Sequence, residues 1–236
     1  MGVILKTLII TGASKGIGLA TARKFLDDGY RVINFSRSNP PESRIESHAL
    51  DLSASGAEAE LAALLEQELD SGEITLVHNA ARLINDTATE ASTQDLEQIL
   101  KLNVVAPHIL NRTILPKMTP GSSIIYIGST LSEKAVANSF SYVTSKHAVV
   151  GMMRATCQDL AGTGIHTACV CPGFTNTEML REHVGDDSDV LTSIAGTSTM
   201  GRLIEPEEIA DTIYFVARSA VVNGAVIHAN LGQVES

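Results

Sequence analysis

KTLIITGASKGIGLATARKFLDDG, residues 6–29, changes its pattern half-way along. Residues 6–13 are a short β-branched, apolar run that reads as a strand. Residues 18–29 read as a helix, with Gly29 placed as its C-terminal cap. Between them lies TGASKGIG (11–18), in which Gly12, Gly16 and Gly18 follow a G-x3-G-x-G spacing. Glycine lets the backbone turn tightly and lets an anion approach the helix N-terminus, where unpaired N–H groups and the helix dipole attract negative charge. A glycine-rich turn anywhere is a weak signal. In the first strand–helix unit of an α/β chain it is the place where a dinucleotide's pyrophosphate binds, and it is read so here.

The same alternation continues. Strands are expected at 30–37, 47–52, 74–81, 122–129, 164–173 and 224–231, and helices at 56–70, 93–118, about 141–160 and 206–218. Pro107 marks a bend in the long helix over 93–118. Regular strand–helix alternation implies a parallel sheet with helices on both faces. No repeat, low-complexity tract or linker interrupts it, so residues 1–236 read as one domain. The least regular segment, about 175–202, is rich in Gly, Ser, Thr and Asp and is a candidate substrate lid.

The chain of 236 residues, 44% apolar and 19% charged, has enough material for a substantial core. Its mean hydropathy is +0.14. No apolar run is long enough to span a membrane, and MGVILKTLIITGAS leads into a strand without a signal-peptide cleavage site. A net charge of −10 opposes nucleic acid and acidic membrane surfaces as partners. The three cysteines, Cys157, Cys169 and Cys171, have neither disulfide-framework nor metal spacing, which fits a reducing cytoplasm and no metal site.

Two further stretches bear on chemistry. Strand two ends NFSR, so Ser36 and Arg37 occupy the place where an acidic residue would hold the ribose 2′-hydroxyl of NAD. Arginine suits a 2′-phosphate instead, with Lys15 as a second positive charge, and the expected cofactor is NADP(H) over NAD(H). SYVTSKHAVVG (141–151) puts Tyr142 four residues before Lys146 on one helix face. An ammonium beside a phenol lowers the phenol's pKa and fits the tyrosine for acid–base work, although a single i,i+4 pair also arises on ordinary surfaces. His78 and His108, among apolar neighbours, read as packing residues. Glu133 and Lys134 face substrate or form a solvated pair.

Taken together, Thr11-Gly12-Ala13-Ser14-Lys15-Gly16-Ile17-Gly18, Asp51-Leu52, Asn79-Ala80-Ala81, Asn103, Ser129, Tyr142 with Lys146, and Pro172-Gly173 with Thr175 and Thr177 resemble the short-chain dehydrogenase/reductase family along essentially the whole chain. The resemblance implies a Rossmann-like, doubly wound sheet of seven parallel strands. It implies a cofactor site of Gly12, Ser14, Lys15, Gly16, Ile17, Gly18, Arg37, Asp51, Leu52, Asn79, Ala80, Tyr142, Lys146, Pro172, Gly173, Thr175 and Thr177. Asp51 would contact adenine, Asn79 would support the ribose region, and Thr177 would hold the nicotinamide amide. Asn103, Ser129, Tyr142 and Lys146 would be catalytic: Tyr142 exchanges a proton with a carbonyl or alcohol oxygen, Ser129 hydrogen-bonds that oxygen, Lys146 binds the nicotinamide ribose, and Asn103 holds a relay water. Two positions depart from the family pattern. Ala81 stands where a glycine is usual, and Asn230-Leu231-Gly232 stands for Asp-Gly-Gly.

The activity expected is reduction of a small-molecule carbonyl or oxidation of an alcohol. The alternatives are an NAD-preferring alcohol dehydrogenase and a catalytically silent NADP(H)-binding sensor. The intact Asn103, Ser129, Tyr142 and Lys146 set speaks against the sensor. Asp186, Asp187 and Asp189 in the lid are a poor match for an acidic acyl-carrier partner. A homo-oligomer, tetramer or dimer, is expected from the resemblance and from two long helices with more apolar surface than one sheet face covers.

Overall fold

The computed structural model describes residues 6–234. Seven strands form one parallel sheet: β1 (Thr7–Thr11), β2 (Arg31–Ser36), β3 (Glu46–Ala49), β4 (Ile74–His78), β5 (Ser123–Ile127), β6 (His166–Pro172) and β7 (Val226–Ala229), in the order β3-β2-β1-β4-β5-β6-β7. The helices are α1 (Gly16–Asp27), α2 (Ala57–Glu68), α3 (Thr93–Leu100), α4 (Ala106–Ile114), α5 (Phe140–Asp159), α6 (Glu178–Val184), α7 (Ser188–Ala195) and α8 (Pro206–Ala217). The expected doubly wound fold is therefore observed, with each strand a little shorter than its apolar run.

The central strands are buried on both faces, which is why they read as continuous apolar runs. Successive side chains divide the core. Leu8, Ile10, Val32, Val77 and Ile125 pack with Phe25 of α1 and Ile213 and Val216 of α8. Ile9, Ile33, Leu76, Ile124 and Tyr126 pack on the other side with Leu61 of α2, Leu110 of α4 and Val149 and Met153 of α5. Burying a side chain of this size contributes about 1.5–3 kcal/mol.

After β1 the chain winds outward to β2 and β3, and from β4 it winds the other way. The crevice between the C-terminal ends of β1 and β4 is therefore the topological switch point, where open α/β sheets bind ligands.

Two expectations change. The helix over 93–118 is interrupted upstream of Pro107: Lys101–Val105 forms a π-helical turn, with Ala106 N donating to Lys101 O, before α4 begins. Pro107 has no N–H to give the Asn103 carbonyl four residues earlier, so the α-helical ladder cannot run through this point. Segment 175–202 is not irregular, because α6 and α7 occupy it. Thr177 and Asp187 cap them, accepting from Leu180 N and Asp189 N.

Candidate active site

The glycine-rich turn leaves β1 with a backbone that only glycine tolerates. Gly12 has φ +72°, and a Cβ on Gly18 would sit 2.3 Å from Gly12 O and 2.6 Å from the Asn79 amide. The turn is held from two neighbouring strands. From β2, Asn34 Oδ1 accepts Ala13 N–H at 2.9 Å; from β4, Asn79 Nδ2 donates to Thr11 O at 2.9 Å and to Gly12 O at 3.1 Å. Thr11 Oγ1 accepts the N–H groups of Asn79 and Ala80. The first turn of α1 carries no acidic side chain, and its N-cap Lys15 makes no side-chain cap bond. An uncapped, acid-free helix start above a cradle that a Cβ would fill fits a diphosphate. Ser14 and Ile17 lie half-exposed on this turn.

Around the turn, Arg37 is exposed just past β2. Asp51 is also exposed; its Oδ1 accepts Ser53 N–H and Oγ–H, which together hold the carboxyl below the usual range. Leu52 is buried in the core, so only its backbone is available to a ligand. Lys15, expected to add positive charge near the end of β2, instead pairs with α6, its Nζ 2.6 Å from Glu178 and 3.2 Å from Glu182. Thr177 folds over the same turn, its methyl 3.2 Å from where a Gly16 Cβ would be. Pro172 ends β6, Gly173 N–H donates to Ala229 O, and Thr175 Oγ donates to Gly173 O.

The second group lies at the ends of β5 and α5. Lys146 is 3% exposed and donates to Ile127 O, the last carbonyl of β5, at 2.7 Å. Its ammonium is 5.5 Å from the centre of the Tyr142 ring. Ser129 follows Ile127 by two residues. Its Oγ accepts Leu131 N–H at 3.1 Å and its own N–H donates to Ser132 Oγ, leaving the hydroxyl hydrogen for an outside acceptor. Gly128 has no room for a side chain, with Cys171 Sγ and Cys169 Sγ 2.6 and 2.8 Å from its Cβ position.

Asn103 is buried at the π-helical turn. Its Oδ1 accepts Arg82 N–H, and its amide donates to Arg82 O and to Ser145 Oγ, each near 3.0 Å; Ser145 Oγ in turn donates to Tyr142 O. Both amide hydrogens are thus engaged, and Pro107, four residues on, has no N–H to give the Asn103 main-chain carbonyl.

Other expectations resolve plainly. His78 is buried, its Nε2–H donates to Asn111 Oδ1 at 2.8 Å, and it is pushed down to about 4 by burial. His108 is exposed and is not a packing residue. Glu133 pairs with His228 at 2.8 Å and Arg154 at 3.5 Å. Ala81 has a negative φ, so its extra methyl carries no backbone strain, whereas Leu231 takes φ +52° in place of the usual glycine. The supporting residues Asn34, Asp86, Ser132 and Ser145 were not singled out from the sequence. Asn34, a polar residue inside an apolar strand, carried a readable signal.

A family model described as enoyl-(acyl carrier protein) reductase matches residues 12–233. The chain is a short-chain dehydrogenase/reductase. Among relatives of this oxidoreductase, the 3-oxoacyl-(acyl-carrier-protein) reductase FabG of Rickettsia bellii is 29% identical over 240 residues, 97% of each chain. An uncharacterized short-chain type dehydrogenase/reductase of Sinorhizobium fredii is 27% identical, and the chain spans only 44% of its length. The ligand-free aldohexose dehydrogenase of Thermoplasma acidophilum superposes with a TM-score of 0.90 at 26% identity, covering 97% of this short-chain dehydrogenase/reductase and 94% of that chain. ElxO with NADP bound superposes with a TM-score of 0.84 at 26% identity, covering 97% and 98%.

Proposed function

We propose that this short-chain dehydrogenase/reductase interconverts a carbonyl and an alcohol with NADP(H), using Tyr142 as the proton donor or acceptor. The observation that carries the reading is the buried Lys146, anchored on Ile127 O with its ammonium 5.5 Å from the Tyr142 ring centre. A buried ammonium stabilises the phenolate that forms when Tyr142 gives up its proton. The bound nicotinamide supplies the hydride. Ser129 donates its hydroxyl hydrogen to the oxygen on which charge develops. Asn103 and Ser145 hold the first turns of α5 against the loop after β4, and the Asn103 carbonyl accepts from a water that returns protons from solvent. Asn79 and Asn34 keep the glycine-rich turn in shape for the diphosphate. Thr177 closes over that turn from α6.

NADP(H) is favoured over NAD(H) by Arg37 and by the absence of a carboxylate at Ser36, whose hydroxyl is already engaged with Asn34 Nδ2 and Ser38 O. ElxO, which binds NADP, is a structural relative that supports the choice. We read residues 1–236 as one catalytic unit that assembles into a homo-oligomer. Three free cysteines among the described residues fit a reducing cytoplasm.

The test is turnover of NADPH with three carbonyl probes: 2,3-butanedione, 4-nitrobenzaldehyde and acetoacetyl-coenzyme A. Tyr142→Phe is expected to keep NADPH affinity and to lose turnover by about a hundredfold or more. Near-normal kcat in this variant rejects the assignment.

A further inference from the structure

Asp86, in the loop after β4, makes four hydrogen bonds to the entry and first turn of α5. Asp86 is buried at 9% exposure. Its N–H donates to Asn138 O at 3.3 Å, and its carbonyl accepts Phe140 N–H at 3.2 Å. Both carboxylate oxygens turn to Ser141: Oδ1 accepts the backbone N–H at 3.0 Å, and Oδ2 accepts the hydroxyl in a short hydrogen bond. Ser141 is completely buried. The N-cap residue of α5, Ser139, makes no side-chain cap bond. The acceptor at the positive end of α5 therefore comes from a segment 55 residues away. Asn138, at φ +59°, turns the chain into this junction.

Tyr142 is the next residue after Ser141. We infer that Asp86 is a positioning residue for Tyr142: its carboxylate sets the first turn of α5, and hence where the phenol stands relative to Ser129 and Lys146. The same loop is pinned at its other end, where Asn103 holds Arg82 through two hydrogen bonds. The loop and the first two turns of α5 thus form one braced unit. A group held this way needs accuracy more than strength, because a displacement of about 1 Å at a reacting group costs on the order of a hundredfold in rate. The inference rests on the reading of Tyr142 as proton donor.

The test compares Asp86→Ala, Asp86→Asn, Ser141→Ala and Asp86→Ala/Ser139→Asp with wild type and Tyr142→Phe. Three quantities are read: kcat on the fastest of the three carbonyl probes, the NADPH dissociation constant and stoichiometry by fluorescence, and amide exchange over residues 140–146 without nucleotide. Asp86→Ala is expected to bind one NADPH per chain with a dissociation constant within about twofold of wild type. Its kcat should fall about ten- to a hundredfold, with faster exchange over 140–146. Asp86→Asn, which keeps one acceptor oxygen, should lose less. The added Ser139→Asp caps α5 locally but does not tie it to the loop, so it should not restore kcat. Wild-type kcat or unchanged exchange in Asp86→Ala, with Tyr142→Phe inactive, overturns the inference. Full rescue by Ser139→Asp also overturns it, since Asp86 would then be a plain cap. Should Asp86→Ala not fold, the same comparison rests on Asp86→Asn and Ser141→Ala, and wild-type kcat in both overturns it. Turnover retained by Tyr142→Phe rejects the proton-donor reading and this inference with it.

Discussion

At the scale of single residues, two side chains carry sharp expectations. Arg37 stands exposed at the end of β2, where a planar guanidinium can take two phosphate oxygens. A charge-assisted hydrogen bond is worth about 1.5–3 kcal/mol, so NADPH should bind roughly ten- to a hundredfold more tightly than NADH. Arg37→Ala should remove most of that preference and leave NADH binding unchanged; fluorescence titration of both nucleotides decides it, and tighter NADH binding by wild type would refute it. His78 lies at the other extreme, buried and pushed down to about 4 by desolvation. Unfolded, a histidine titrates near 6.5. Between these values the unfolded chain binds the extra proton, so stability is lost as pH falls from about 6.5 to about 4, by roughly 3 kcal/mol in all. Urea unfolding of wild type and His78→Gln across that range should show a flatter pH dependence in the variant. Parallel curves would mean that His78 accepts its proton in the folded state.

At the scale of elements, the bridge from Lys15 to Glu178 and Glu182 joins the glycine-rich turn to α6. All three side chains are about half or more exposed, so the bridge adds less than about 1 kcal/mol to stability. Its effect is to hold the Lys15 ammonium against α6. Replacing both glutamates with glutamine should tighten NADPH several-fold at low salt, leave NADH unchanged and move the melting temperature little; equal effects on both nucleotides would refute this. The strands were legible from the sequence because each is a run buried on both faces, and the glycine turn because its spacing answers a steric demand. The π-helical turn was not. Pro107 showed that the helix must yield somewhere, but where it yields is set by Asn103 reaching Arg82 and Ser145, which are remote in sequence. Asp86 was hidden for the same reason. Tyr142 and Lys146 stood out by their i,i+4 spacing, a weak signal by itself, and Ser129 entered only through the resemblance to the family. The aim of Lys15 was not legible, since it depends on how α6 packs over the turn.

At the scale of the whole molecule, the outer surface bears on assembly. Phe215 of α8 is 59% exposed and Val221, just beyond it, 92% exposed. A homo-oligomer is expected, and light scattering at micromolar concentration should give a mass of two or four chains; a mass of one chain would refute it. The sheet order also has a consequence in time. β1 leaves the ribosome before β4, yet one of the two side chains that brace its glycine turn is Asn79, just past the end of β4. While residues 37–73 are being translated, the turn has Asn34 on one side and nothing on the other. A nascent chain therefore carries the most recognisable motif of the protein long before that motif has its shape. The turn gains its second brace only when β4 docks beside β1 and the two windings of the sheet meet, and the rest of the site, from Ser129 to Thr177, follows later in synthesis.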